Sequence, residues 1–314
     1  MRVLVTGASG FLGAHVAAAL STSGHDVIGT SRNPDGSPRI GRLLEFAAFR
    51  AMKFDLRHDD AALLVGAVRP DAIVHCAAYG VDYREQDPIA ASETNVTATV
   101  RLWSAAHLHG VPTFVHIGTC YEFGSAATAL SETAALQPTG IYGCTKAAAS
   151  LILRHLGREA SPRLVVMRPF YMYGPGDGAH KLVPQVMRAI ASGSDLELTA
   201  GDEVRDVLFV RDVAARIAGV AVLDPARIPA GSEFNVCSGV GIKVRTLVES
   251  IAEVIGRPCN LRFGARPSRV DTPSHVVGDA SRWRAFCNEI GRADWLEITP
   301  LAEAARQTFA EYST

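Results

Sequence analysis

The stretch Val3-Leu4-Val5-Thr6-Gly7-Ala8-Ser9-Gly10-Phe11-Leu12-Gly13 decides how this chain is read. Its first residues form an apolar run of strand length, and the segment beyond Gly13 is rich in alanine, as a closely packed helix is. Between them stand three glycines at the spacing GxxGxxG. A turn free of side chains admits a pyrophosphate to the helix N-terminus, where unpaired N–H groups and the helix dipole favour negative charge. The other reading is a tight strand-to-helix turn that binds nothing. Context separates the two: the strand opens a βαβ series at the start of the chain, where a dinucleotide-binding turn belongs.

Outward from that turn, short apolar runs alternate with longer amphipathic stretches. Strands are predicted at Val3–Thr6, Asp26–Thr30, Lys53–Asp55, Ala72–His75, Thr113–Gly118 and Arg163–Arg168, with helices between them. Two helices are long, one over 88–109 and one opened by Pro138–Gly140 and running through Leu156. The pattern is α/β, a doubly wound parallel sheet. Alanines such as Ala147-Ala148-Ala149 suit close packing within the molecule or a homodimer formed through the helices around 88–109 and 139–156. After Pro169 the texture changes to a loop, Gly174-Pro175-Gly176-Asp177-Gly178, and then to short mixed signals broken by Pro and Gly. The expected organisation is a dinucleotide-binding unit over 1–168 and a smaller mixed α/β substrate-binding lobe over 169–314, with some later segments returning to the first unit.

Composition narrows the function classes. With 48% hydrophobic and 20% charged residues the chain is that of a globular protein, and its net charge of −1 offers no field for a nucleic acid or an anionic membrane. No basic, apolar leader and no long apolar span is visible, so a cytoplasmic location is expected. The six cysteines contain no CxxC pair, which suits reduced thiols rather than a disulfide framework or a metal site.

The second predicted strand ends Gly29-Thr30-Ser31-Arg32-Asn33, without the carboxylate that would hold an adenosine ribose and repel a phosphate. Ser31 and Arg32 can donate to a 2′-phosphate instead, so NADP(H) is favoured over NAD(H). Further on, Tyr142-Gly143-Cys144-Thr145-Lys146 sets a phenol and an ammonium four residues apart on one helix face. Bringing a phenol of pKa near 10 to work at neutrality takes about 4 kcal/mol of phenolate stabilisation, to which a nearby cation contributes. Thr119 follows the strand Thr113–Gly118, at the end where doubly wound sheets hold their ligands.

Taken together, these residues resemble the extended short-chain dehydrogenase/reductases, and within them the NAD(P)-dependent sugar-nucleotide epimerase/dehydratase family. The likeness spans essentially the whole chain and implies a Rossmann fold. It includes Asp55-Leu56, His75-Cys76-Ala77-Ala78 as an HxAA-like run, Asn95, and Arg168-Pro169-Phe170-Tyr171-Met172-Tyr173-Gly174-Pro175, similar to RPxxxYGP. By resemblance Thr119, Tyr142 and Lys146 are the catalytic set. Gly7, Ser9, Gly10, Phe11, Leu12, Gly13, Ser31, Arg32, Asp55, Leu56, Ala77, Ala78, Tyr142, Lys146 and Pro169 face the cofactor. Tyr79, Thr119, Cys120, Tyr121, Lys181, Leu182, Arg205 and Arg266 face a nucleotide-diphosphate sugar. Arg205 lies in Gly201-Asp202-Glu203-Val204-Arg205-Asp206, where the family has a diphosphate-binding Arg, and in Arg266-Pro267-Ser268-Arg269-Val270-Asp271 either arginine is placed for a second phosphate contact.

Departures from the family pattern shape the expected activity. Family dehydratases follow the catalytic Thr with carboxylates, whereas this chain has Cys120 and Tyr121, so water elimination lacks its acid and base. Cys120 is open to two readings, a thiolate base or an inert buried thiol. The expectation is an NADPH-dependent reductase of a 4-keto (6-deoxy) sugar nucleotide with Tyr142 as proton donor. Beside it stand an epimerase with retained cofactor and, from another class, a non-catalytic NADP(H)-binding regulator.

Overall fold

The computed structural model describes residues 1–158, 161–268 and 273–312. Seven parallel strands form the main sheet in the order β10-β6-β5-β4-β1-β2-β3. These are β1 (Arg2–Thr6), β2 (Asp26–Ser31), β3 (Phe49–Lys53), β4 (Ala72–His75), β5 (Thr113–Ile117), β6 (Arg163–Pro169) and β10 (Ser232–Val236). The order reverses between β1 and β4, and that crevice lies at the strands' C-terminal ends.

Side-chain alternation builds two core layers. Val3, Val5, Val74, Val115 and Met167 face α1 (Phe11–Thr22), α8 (Val210–Ala221) and α10 (Ser281–Glu289). Leu4, Ile73, Phe114 and Val166 face α3 (Ala61–Val68), α5 (Ala98–Leu108) and α6 (Gly140–Leu156). The shorter α2 (Pro38–Leu43) follows β2, and α4 (Pro88–Ser92) runs through a π-helical turn at Glu93–Thr97 into α5, giving the expected long helix.

The remaining strands are short apart from the six-residue β9 (Val204–Phe209). β7 (Tyr171–Tyr173), β11 (Gly241–Lys243) and β13 (His275–Val276) pair with β9, and β8 (Leu196–Leu198) pairs with β12 (Leu261–Phe263). Their apolar residues pack with α7 (Leu182–Ser192), α9 (Val244–Ile255) and α11 (Leu301–Phe309) around Val186, Met187, Ile251 and Phe309. Among the described residues no helix is long and apolar enough to cross a membrane.

One strand differs from expectation. The third lies at Phe49–Lys53 and not at Lys53–Asp55. It is one of the sheet's two edge strands, and only Phe49 of its five residues is buried, so it has no continuous apolar run to mark it.

Candidate active site

The glycine turn connects β1 to α1 at the crevice. Gly7 has φ +70°, and a Cβ there would lie 2.7 Å from the Ala77 backbone at the end of β4. A Cβ on Gly13 would lie 2.2 Å from the Gly7 carbonyl, so two of the three glycines serve close packing. Gly10 is different: it is the exposed N-cap of α1, no side chain caps the helix, and its added Cβ would meet only the Gly7 carbonyl, at 3.1 Å. The uncapped N–H groups beside the exposed Gly10 fit a pyrophosphate. Ser9, Phe11 and Leu12 are partly exposed around it. The Ala8 amide donates to the Thr30 carbonyl at 3.1 Å, which fastens the turn to the end of β2. There Ser31 is buried, its hydroxyl accepting from the Asn33 amide, and Arg32 is exposed.

Arg39 was not among the expected residues. From α2 its guanidinium donates to the Ser9 carbonyl at 3.0 Å and to the Gly176 carbonyl at 2.6 Å, joining the glycine turn to the loop after β7. Asp55 closes a local turn by accepting from the Arg57 amide, and Leu56 packs into the core beneath the sheet. At the end of β4, Cys76, Ala77, Ala78 and Tyr79 are partly exposed, and Asn95 grips Tyr79 from both sides, its Oδ1 accepting from the Tyr79 amide and its Nδ2 donating to the Tyr79 carbonyl. Pro169 is buried at the end of β6.

The chain turns sharply after β5. Thr119 caps a short 3-10 turn, Cys120–Glu122, its hydroxyl accepting from the Tyr121 amide at 3.3 Å. α6 settles on this turn through Gly143, where a Cβ would lie 2.5 Å from the Tyr121 carbonyl. This brings Tyr142 to Thr119, whose hydroxyl favours the Tyr142 phenolate, with Lys146 one turn further along α6. The rings of Tyr121 and Tyr142 meet edge-on at 6.2 Å, those of Tyr121 and Tyr171 at 5.8 Å, and Arg205 lies over Tyr171 at 5.0 Å. Tyr171 is a wall residue that the sequence reading left without a role.

Burial, then the negative field of Glu122, push the Tyr142 phenol well above its ordinary pKa, with the Thr119 hydroxyl pulling the other way. The sequence predicts net phenolate stabilisation, with Lys146 contributing; the balance runs in the opposite direction because desolvation by the surrounding residues outweighs it, although Tyr142 keeps some exposed surface. Burial lowers Lys146 to about 8 even though Glu122 and Cys76 hold its proton. Cys120 packs among Phe123, Phe170 and Val276, and burial pushes its thiol up to about 12, so it is not a thiolate near neutrality.

The substrate-side residues are less uniform. Lys181 caps α7 and its Nζ donates to the Val81 carbonyl at 3.1 Å, and Leu182 is half-buried beside it. Arg205 is buried, donating to the Val204 carbonyl at 2.9 Å and the Pro273 carbonyl at 2.5 Å. Arg266 is exposed on the loop after β12, and Arg269 lies outside the described residues. Among the described residues no group of three or more His, Cys, Asp or Glu side chains is placed to hold a metal ion.

A glycine turn at the switch point of a parallel sheet, facing a Thr, a Tyr and a Lys, defines a dinucleotide-dependent oxidoreductase of the extended short-chain dehydrogenase/reductase type. The chain belongs to the NAD-dependent epimerase/dehydratase family, which it matches over residues 3–237. It is 32% identical to the UDP-glucose 4-epimerase of Mycolicibacterium smegmatis, covering 98% of this chain and 97% of that protein. It is 28% identical to the GDP-6-deoxy-D-mannose reductase of Pseudomonas aeruginosa, covering 90% of this chain and 91% of that one. Among solved structures, MoeE5 in complex with UDP-glucuronic acid and NAD superimposes with a TM-score of 0.85 at 25% identity, over 100% of this chain and 99% of that chain.

Proposed function

We propose that the protein is an NADPH-dependent reductase of a nucleotide-activated 4-keto (6-deoxy) sugar. The observation that carries this reading is the make-up of the turn after β5: beside Thr119 stand a buried thiol and a tyrosine, and the turn's one carboxylate, Glu122, is fully buried against Arg168. Water elimination needs an acid and a base at the sugar, and this turn presents neither as a carboxylate. Ketone reduction needs one proton donor, and Tyr142 is held protonated.

With its pyrophosphate held at the glycine turn, NADPH would supply a hydride for the C4 carbonyl. Tyr142 Oη donates the proton to the carbonyl oxygen as it becomes an alkoxide, and the Thr119 hydroxyl orients that oxygen. Lys146 binds the nicotinamide ribose and brings positive charge to the site. Residues 1–168 hold the cofactor, and 169–314 mainly the sugar nucleotide. Arg32 and Ser31 receive the 2′-phosphate, and Arg205, with Arg266 or Arg269, receives the diphosphate. The free cysteines support a reducing compartment such as the cytoplasm. Exposed Ile89, Leu108, Leu151 and Ile152 on the two long helices support a homodimer built through them.

The second reading, an epimerase with retained cofactor, is favoured by the identity to the mycobacterial epimerase. Purified protein incubated with CDP-, GDP-, dTDP- and UDP-linked 4-keto sugars and NADPH separates the two. A reductase consumes one NADPH per sugar and is isolated without cofactor. Tightly held NAD⁺, with sugar interconversion that proceeds without added NADPH, establishes the epimerase instead.

A further inference from the structure

Beneath the proposed catalytic groups runs a ring of charge that is buried at Glu122, Arg168 and Glu233 and reaches the surface at Arg154, whose side chain is 45% exposed. Glu122 is 0% exposed; its Oε1 accepts from the Thr119 amide at 2.9 Å and from the Ser150 hydroxyl at 3.2 Å, and its Oε2 accepts from Arg168 Nε at 2.7 Å. Arg168, 1% exposed, donates also to Glu233 of β10 at 2.6 Å, and Glu233 pairs with Arg154 at 2.7 Å. Tyr142, Lys146, Ser150 and Arg154 stand at successive four-residue steps along α6, so the ring leaves that helix at Ser150 and returns to it at Arg154. Two carboxylates and two guanidiniums balance. Gly118 makes room for the ring, since a Cβ there would lie 2.5 Å from Glu122 Oε1 and 2.8 Å from Arg168 Cγ.

A buried ion pair adds little net stability compared with apolar packing, so a ring of this kind earns its place through geometry. We propose that Glu122 is a positioning residue that sets Thr119 and the Tyr142–Lys146 face of α6 in register, by taking the Thr119 amide and the Ser150 hydroxyl on one oxygen while Arg168 anchors the other. The proposal rests on the reductase reading for its activity readout, and on a second measurement independent of activity.

Wild type and Glu122→Gln are compared by NADPH titration, by steady-state reduction of whichever 4-keto sugar nucleotide the wild type uses, and by amide exchange across 117–124 and 140–156. At about pH 6, where Lys146 keeps its proton, we expect NADPH affinity within about twofold, kcat lowered roughly tenfold or more with KM for the sugar nucleotide changed less than about threefold, and faster exchange at Thr119. Glu122→Asp, which keeps the charge on a shorter arm, recovers part of kcat. A Glu122→Gln protein with kcat within about twofold of wild type overturns the proposal, as does a loss confined to folded yield with normal turnover per NADPH site. If Glu122→Gln does not fold, Ser150→Ala is judged by the same criteria at about threefold in kcat, since it removes one contact of the ring and no charge. If the wild type reduces no 4-keto sugar, the reductase reading fails separately. Exchange then decides the positioning: unchanged protection at Thr119 and along α6 in Glu122→Gln overturns it.

Discussion

Tyr142 and Lys146 share a helix face but respond to burial in opposite senses: the phenol is pushed up and keeps its proton, while the ammonium is lowered to about 8 and loses its proton just above neutrality. Tyr142→Phe keeps the ring and removes the transferable proton, so turnover should fall about 10²–10⁴-fold with NADPH binding nearly intact. Stopped-flow reduction and fluorescence titration of the same variant check this; more than a tenth of wild-type kcat would remove Tyr142 from the mechanism. Lys146 supplies a pH test. The thiols of Cys76 and Cys120 are both pushed up to about 12, so neither titrates between neutrality and the range where Lys146 does. NADPH affinity should therefore weaken, by about tenfold, as pH rises through 8, because the positive charge is present below that value and lost above it. Titrations at pH values on either side should show the change in wild type and a flat response in Lys146→Met. A flat wild-type response would separate Lys146 from cofactor binding.

At the scale of elements, the glycine turn lets structure and binding be tested apart. Gly13→Ala collides with the Gly7 carbonyl and should destabilise the fold by about 2 kcal/mol or more, read as a shifted urea midpoint. Gly10→Ala crowds one atom, the Gly7 carbonyl at 3.1 Å, which must yield by a few tenths of an ångström, so stability should change by less than about 1 kcal/mol while NADPH affinity drops at least about tenfold. Equal affinities would mean that the turn serves packing alone. What could be read from sequence follows the same physics. β1 and β4 are legible because strands covered on both faces are continuous apolar runs, whereas β3 is half-exposed and begins four residues before the strand its sequence predicts. β7, β8, β11 and β12 have three residues each and β13 two, too few to display a period. Thr119, Tyr142 and Lys146 lie on one turn and one helix and were visible as local motifs. Glu122 was not, since its partner Arg168 is 46 residues away and Arg168's second partner a further 65.

For the whole molecule, assembly is the open quantity that sequence and fold address together. Ala147 and Ala149 prove to be buried within the chain, so the alanines serve intramolecular packing, and it is Leu151 and Ile152, 51% and 37% exposed, that face outward from α6. Light scattering should give about twice the 33.4 kDa chain mass, and Leu151→Arg with Ile152→Arg should give the single-chain mass. A monomeric wild type would withdraw the dimer. The position of β10 has a different consequence, for biosynthesis. β10 lies beside β6, yet 62 residues separate the end of one from the start of the other. At roughly 5–20 residues per second, a ribosome needs about 3–12 s to deliver the missing strand, and until then β6 waits as an open edge with its Leu164–Met167 run unpaired on that side. The newborn chain therefore passes through an interval in which its adhesive edge is guarded only by the speed of translation and by whatever chaperone holds it.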